Sequence, residues 1–367
     1  MRLCLVVEAA AGGTGRHVID LTRAMVTRGH DLALVYSPLR ADRSFTEALP
    51  ALGANVVPLA MPQSIGWRDL GAARALSRVV RTHGPFAIVH AHSSKAGAVT
   101  RLAAVGAAAL VYTPHALATL DRERGVARRA LVELAERLLG PRTDALILVS
   151  EAEFGEAARL RLANDKRHLI ANRLYGFAPV DRACARAALG ADEDEQWIGF
   201  IGRLDAQKAP LQFVAAALAA MKRQARVRAL ILGDGSFAPV VAEAIVASEF
   251  ADRFTWHRDR TAAELVAALD LLVVTSRFEG FPYVMLEALG AGVPVLSTDV
   301  GGARDLLGRG AGLVVPDERL AMTLMRLLAD RPGLAAMQVA AARAGGVCRE
   351  TWMFDETEAL YQQLASR

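Results

Sequence analysis

Along the chain, short apolar runs alternate with longer stretches whose apolar positions recur at helical spacing. The runs predict strands at 3–8, 31–36, 54–59, 87–92, 108–114 and 144–150, with amphipathic helices such as 16–29, 68–82 and 126–139 between them. The alternation lapses over 172–196, where turn residues and charge replace periodicity, and resumes with strands at 197–202, 227–233, 253–257, 269–275, 293–297 and 312–315. Strands alternating with helices imply crossover units and parallel sheets. The chain therefore reads as two successive α/β, doubly wound, Rossmann-like domains, residues 1–175 and 193–348, followed by a closing helix over 349–367. In open sheets of this kind ligands sit beyond the carboxyl ends of the strands, so the strand ends are where chemistry is expected, and the cleft between the two sheets is the expected site.

Composition narrows the class without altering this picture. The chain has 367 residues, 53% of them hydrophobic, and no low-complexity tract, which suits two globular domains. The longest apolar run, 102–112, is about half of what spans a bilayer, and the opening apolar run, broken by Glu8, is short for a secretory signal. Cys4, Cys184 and Cys348 are scattered and match no metal spacing, a usage that fits reduced thiols in the cytoplasm.

Charge is uneven. Residues 1–175 carry 23 Lys+Arg against 15 Asp+Glu, net +8, and the remainder carries 20 against 24, net −4. Arg122, Arg124, Arg128, Arg129, Arg137 and Arg142 crowd one segment whose apolar positions Val126, Ala130, Leu131, Leu134 and Leu138 recur at helical spacing. Two readings stand: a surface helix with a solvated basic face, or a patch for the lipid headgroups of an anionic membrane surface, or for a lipid diphosphate, through 122–142. No nucleic-acid partner is expected.

Three strand ends carry candidate chemistry. The first strand runs into 9-AAAGGTGRHV-18, where Gly12, Gly13 and Gly15 permit either a plain tight turn or close backbone approach to an anion at a helix start. It is not a dinucleotide fingerprint, because the acid expected about 20 residues on would fall at Tyr36 or Ser37. At 199-GFIGRLDAQKAP-210, Arg203 and Lys208 follow Gly202 on a loop entering a helix, and a guanidinium fork with an ammonium suits a diphosphate. At 276-SRFEGFP-282, Glu279 stands in a loop before a helix expected to start near Pro282, with Glu287 further along it. A carboxylate for hydroxyls, the backbone amides around Gly280 and Phe281, and a helix start together suit a polyhydroxylated, phosphorylated ligand. The turn 231-ILGDGS-236 is another glycine-bearing strand end, uninformative alone.

The pair Glu279-x7-Glu287, the loop Gly202-Arg203-Leu204-x3-Lys208 and the turn Gly12-Gly13-Thr14-Gly15, taken in order over nearly the whole chain, resemble the retaining glycosyltransferases of family four. The resemblance implies the GT-B fold, two Rossmann-like domains facing across a deep cleft. It further implies a nucleotide-sugar donor on the carboxy-terminal domain and a saccharide or lipid-linked acceptor on the amino-terminal one. By resemblance, Glu279 with the amides of Gly280 and Phe281 binds the donor sugar, Glu287 holds the ribose hydroxyls, Arg203 and Lys208 stabilise the leaving diphosphate, and His115 in 113-TPHA-116 approaches the donor sugar. A structural histidine is the alternative for His115. Gly12, Gly13, Gly15, Gly202 and Pro282 complete the expected donor-binding set.

The chemistry agrees: cations and helix starts aimed at a departing diphosphate act where charge grows. With Arg and Lys in that place no metal or cofactor is expected, and the Asp-x-Asp match 192-DED-194 reads as a solvated loop. The chain departs from the family pattern at 303-ARDL-306, where a Glu is usual and Asp305 lies nearby, and at 172-NRLYG-176, which lacks the usual Asn-Gly-Val-Asp turn. His90, His92 and Lys95 sit at another strand end, either touching acceptor or lying beside a helix capped by Ser93 or Ser94. The expected function is transfer of a sugar, from a UDP-sugar in preference to a GDP-sugar, in polysaccharide or glycolipid synthesis, by a cytoplasmic enzyme peripheral on the inner face of the cell membrane. The alternatives are another GT-B activity such as a sugar-nucleotide epimerase, or a relative that binds without turnover.

Overall fold

The computed structural model describes residues 1–62, 66–121 and 125–367. They form two compact units, Met1–Tyr175 with Thr351–Arg367, and Gly176–Glu350.

The first unit holds β1 (Arg2–Val7), β2 (Asp31–Tyr36), β3 (Asn55–Pro58), β4 (Ile88–His92), β5 (Ala109–Thr113), β6 (Ala145–Leu148) and β7 (Arg167–Leu169). All pair in parallel, in the order β3-β2-β1-β4-β5-β6-β7. A parallel sheet covered by helices on both faces needs apolar side chains on both, and β1 shows the division: Cys4 and Val6 enter one core, Leu3, Leu5 and Val7 the other. The second core includes Met353, Phe354, Leu360, Tyr361 and Leu364 of the last helix, Trp352–Ala365. That helix is also tied down by charge, since Glu358 accepts from Arg28 and pairs with His30, each at 2.8 Å. The end of the chain is thus part of the first unit's core.

The second unit holds β8 (Gln196–Ile201), β9 (Val227–Leu232), β10 (Phe254–His257), β11 (Leu271–Val274), β12 (Val295–Ser297) and β13 (Gly312–Val314). These are parallel in the order β10-β9-β8-β11-β12-β13. Each sheet therefore reverses its winding beside its first strand, between β1 and β4 and between β8 and β11, and such switch points are where ligands enter open α/β sheets. Each unit is thus a doubly wound, Rossmann-like parallel sheet.

Two expectations need correction. The stretch 172–196 is not without regular structure: Arg182–Leu189 is a helix, started by Asp181, whose side chain accepts from Ala183 N and Cys184 N. β7 lay between predicted elements. The helix expected to start near Pro282 is found at Tyr283–Gly290, with Pro282 the extended residue before it.

Candidate active site

In the second unit, the loops after β8 and β11 meet at the switch point. Gly202 takes φ 150°, a conformation that favours glycine, and a side chain there would face Lys208. Gly233, after β9, comes so close to Gly202 that an added Cβ would stand 2.0 Å from the Gly202 carbonyl oxygen. Leu204 N donates to the Asp234 carbonyl and Phe237 N to that of Leu204. The turn 231–236 is thus a support for the Gly202–Lys208 loop, a role its own sequence did not reveal.

Cross-bonds lash that loop to the one after β11. Thr275 Oγ1 donates to the carbonyls of Lys208 and Ala209, Arg277 N to that of Gln207, and Gln207 Nε2 to that of Phe278. The result brings Lys208 Nζ within 2.5 Å of Glu279 Oε1. Both side chains are mostly buried, 17% and 11% exposed, so a desolvated ion pair forms at the strand ends where the sequence predicted a cation and a carboxylate. Arg203 is held differently: its Nε donates to Asp205 and its Nη2 to Gln207, members of its own loop. The two cations expected on this loop thus have different partners within the chain. Lys208 is set against Glu279, and Arg203 against Asp205.

Beyond Glu279, Gly280 is buried and the Phe281 ring packs on Gly302, where a Cβ would meet Phe281 at 2.5 Å. Gly302 has φ 76°, so both its conformation and its space require glycine. The buried ring anchors the loop that presents Glu279. Glu287 is half-buried on the helix that follows. Asp192, Glu193 and Asp194 are exposed beyond the helix Arg182–Leu189, with Asp194 paired to Arg226.

In the first unit, Gly12, Gly13 and Gly15 lie not in a loop before the helix but inside its first turns, Gly12–Thr27. Gly12 N donates to Asp42 Oδ2 at 2.8 Å, so the chain itself supplies a carboxylate to this helix start. A side chain at Gly15 would stand 3.0 Å from the Ala10 carbonyl carbon, the close approach that glycine permits. The helix carries His17, whose ring packs edge-on to His115, centroids 4.4 Å apart. His92 Nδ1 lies 3.0 Å from His115 Nε2. His90 lies tilted against His92 but is bonded elsewhere, Nδ1 to the Tyr361 hydroxyl at 2.5 Å and Nε2 to Thr113 Oγ1 at 2.8 Å. Burial pushes the His17 imidazole down to about 4, and burial with mutual repulsion holds those of His90, His92 and His115 well below the usual range. Lys95 is not presented to a ligand from an open strand end; it is buried and pairs with Asp69 at 2.7 Å. Ser93 caps its helix by accepting from Ala96 N.

His115 sits at φ 60° and Ala116 at φ 139°, unusual for residues with side chains. The buried carboxylate of Glu153 holds this loop: it accepts from Ala116 N at 2.9 Å, Leu117 N at 2.8 Å and Val149 N at 2.9 Å. Burial pushes its carboxyl up to about 7, against the pull of those three N–H groups. The spacing Ser150-x-x-Glu153 was legible as a capping pattern, but the reach to 116–117 was not.

Arg122 and Arg124 of the basic segment lie outside the described residues. In the helix Val126–Leu139, the apolar stripe faces outward: Val126, Leu131, Leu134 and Leu138 are exposed, while Val132 and Glu136 are buried. Glu136 takes a bond from Arg101 at 2.8 Å and one from the Tyr112 hydroxyl at 3.0 Å. Arg137 pairs with Glu133, and Arg142 donates to the Arg101 carbonyl. Among the described residues, no helix is long and apolar enough to cross a membrane.

Comparison with known proteins bears on both units. Residues 11–172 match the model of Glycosyltransferase Family 4, and residues 195–330 that of Glycosyl transferases group 1. A D-inositol 3-phosphate glycosyltransferase of Segniliparus rotundus is 31% identical over 256 residues, 64% of this chain and 57% of that protein. One from Rhodococcus jostii is 28% identical over 363 residues, 91% of this chain and 80% of that protein. The chain thus spans a little over half, 57%, of the Segniliparus relative's length. Among solved structures, sucrose-phosphate synthase of Thermosynechococcus elongatus superposes with a TM-score of 0.80 at 19% identity, over 100% of both chains. Anabaena HepE in complex with UDP gives 0.80 at 22% identity, also over 100% of both, and with the two parallel sheets these likenesses make this the GT-B fold.

Proposed function

We propose that this chain, which on its two family matches and its fold belongs to the family-four type of glycosyltransferase, moves a sugar from a nucleoside-diphosphate sugar to a saccharide or lipid-linked acceptor with retention of anomeric configuration. The observation that carries the reading is the Lys208–Glu279 contact at the second unit's switch point. A lone buried ion pair stabilises little, because desolvation offsets attraction. A pair lashed at a ligand-binding strand end, beside a helix start, does something else: it holds an ammonium and a carboxylate ready to be shared with a ligand bearing both phosphate and hydroxyls.

In this reading Glu279 accepts from donor-sugar hydroxyls, and the amides of Gly280 and Phe281, with Pro282 turning the chain into the helix, line the same place. Lys208 opposes the charge that grows on the diphosphate as the bond to the anomeric carbon breaks. Arg203 joins it by exchanging Asp205 for phosphate. Glu287 binds the ribose hydroxyls, and Gly202 leaves room for Lys208. In the first unit, His115 acts on the donor sugar, and the helix beginning at Gly12, Gly13 and Gly15 flanks it through His17. No metal is needed for the leaving group, because fixed cations supply the charge.

The nucleotide is proposed to be uridine-based. HepE, described above, is also known in complex with UDP-glucose, and the curated relatives are glycosyltransferases acting on D-inositol 3-phosphate by name. The acceptor is proposed to be lipid-linked and reached from an anionic membrane surface on the cytoplasmic side. The support is the exposed stripe Val126, Leu131, Leu134 and Leu138 with Arg128 exposed on the same helix, an apolar face with basic flanks suited to the interface of an acidic bilayer.

A thermal-shift series with UDP, GDP and their sugars tests the reading, since a ligand that binds only the folded protein raises its midpoint. UDP and a UDP-sugar are expected to raise it. A midpoint unmoved by every nucleotide at millimolar concentration would overturn the proposal.

A further inference from the structure

The three imidazoles of His17, His92 and His115 offer nitrogens that all lie within 4.8 Å of one another. They come from three elements: the helix after β1, the last residue of β4, and the loop after β5. We propose that they form a binding site for a transition-metal ion of the zinc type, chelated by three neutral imidazoles. Nothing in the proposed transfer chemistry calls for such a site.

Three features of the first unit support it. The nitrogens His92 Nδ1 and His115 Nε2 are already 3.0 Å apart, close to the roughly 3.3 Å that separates two ligands on a tetrahedral ion at 2.0–2.1 Å. His17 has only to draw in from within 4.8 Å, a side-chain adjustment. Second, the His92 ring makes one side-chain hydrogen bond, Nδ1 with His115, because its buried Nε2 has no hydrogen-bond partner among the described residues, so an ion taken at Nδ1 displaces a single contact. Third, the set is selective within its own surroundings. His90 is adjacent but has both nitrogens engaged, by Tyr361 and Thr113, so it backs His92 and does not join the ligands. The Asn172 side chain hydrogen-bonds the His17 ring, the outer contact that fixes which nitrogen a histidine offers.

Imidazole ligands favour zinc, copper and nickel over magnesium or calcium. His115 is partly exposed while His17 and His92 are buried, so an ion enters past His115 and keeps its fourth position on that side. Coordination would occupy the ring that the transfer reaction uses, so bound zinc is expected to inhibit. That corollary alone rests on the function proposed above; the site itself does not.

The test is zinc binding to the full-length protein, by dialysis against micromolar Zn²⁺ with metal analysis and by absorption of the Co²⁺ derivative. One equivalent is expected, with a nitrogen-type Co²⁺ spectrum lacking the thiolate charge-transfer bands that Cys184 would give. His17→Gln and His92→Gln should each weaken binding by more than about 100-fold, beyond the loss of an outer contact, and Asn172→Ala by about 10- to 100-fold. Should a variant fail to fold, the wild-type protein decides: X-ray absorption should show three imidazole nitrogens at about 2.0 Å. No bound equivalent, a sulfur neighbour, or stoichiometric binding that survives both His variants would overturn the site.

Discussion

Lys208 Nζ and Glu279 Oε1 stand 2.5 Å apart although 71 positions separate them in the chain. Each belongs to the loop after one of two adjacent parallel strands, β8 and β11, and the cross-bonds from Thr275 and Gln207 set their distance. Because the two groups share one contact, their substitutions should not add. Stability measured in a double-mutant cycle, Lys208→Met with Glu279→Gln, should give a coupling of about 0.5–3 kcal/mol, the range for residues in direct contact. Additive losses would mean that the contact does not form in solution.

Glu287→Ala is expected to act on binding and not on turnover. Its proposed partner, the ribose, does not change charge during reaction, so the affinity for UDP should fall while kcat holds. Calorimetric titration checks this, and an unaltered UDP affinity would remove Glu287 from the site.

Glu153→Ala should destabilise the protein and slow it. Three N–H groups, of Ala116, Leu117 and Val149, would lose their acceptor, at about 1–3 kcal/mol for each of the two that are buried. The His115 loop, held in a left-handed conformation, would lose its clamp. Urea unfolding should show a loss of several kcal/mol, and a stability within about 0.5 kcal/mol of wild type, the range of featureless surface changes, would refute the clamp.

Membrane docking should need both parts of the helix Val126–Leu139. Leu131→Glu with Leu134→Glu, or Arg128→Glu with Arg129→Glu, should each abolish co-sedimentation with acidic vesicles at low salt. Each basic residue near the surface contributes about 1 kcal/mol, and salt screens it. Equal binding to neutral vesicles, or no effect of either pair, would leave the exposed stripe without this role.

The sequence made the strands of the sheet centres legible because a strand covered on both faces reads as an unbroken apolar run: 31–36 was expected and Asp31–Tyr36 is found. β7 escaped notice because it is three residues long and its Arg167 and His168 are only half-buried. The helix Arg182–Leu189 escaped because it is eight residues long and only Ala185 is buried, so no run of large apolar side chains marks a core-facing stripe. In the helix Val126–Leu139 the period was read correctly, but period alone does not say which face turns inward, and here the buried Glu136 does. At the candidate site, single strand-end residues were visible in the sequence. Their partnerships were not: Lys208 with Glu279, Arg203 with Asp205, and His17 with His115 come from positions distant in sequence or from side-chain directions that motif spacing does not encode.

Metal dependence bears on the diphosphate site. If Lys208 and Arg203 carry the leaving group's charge, transfer should persist in excess EDTA, and should rise if zinc on the histidines had been inhibiting it. Abolition by EDTA with rescue by Mg²⁺ or Mn²⁺ would assign that charge to a metal instead.

The most direct measurement of the central claim is release of nucleoside diphosphate from a panel of sugar nucleotides, by the wild-type protein and by Lys208→Ala of verified fold. The account predicts release of UDP from a UDP-sugar with transfer to acceptor, and a rate about 10²-fold lower in the variant, the scale of losing one electrostatic contact to developing charge. Binding without release in the wild-type protein, or equal rates in the two, would contradict it.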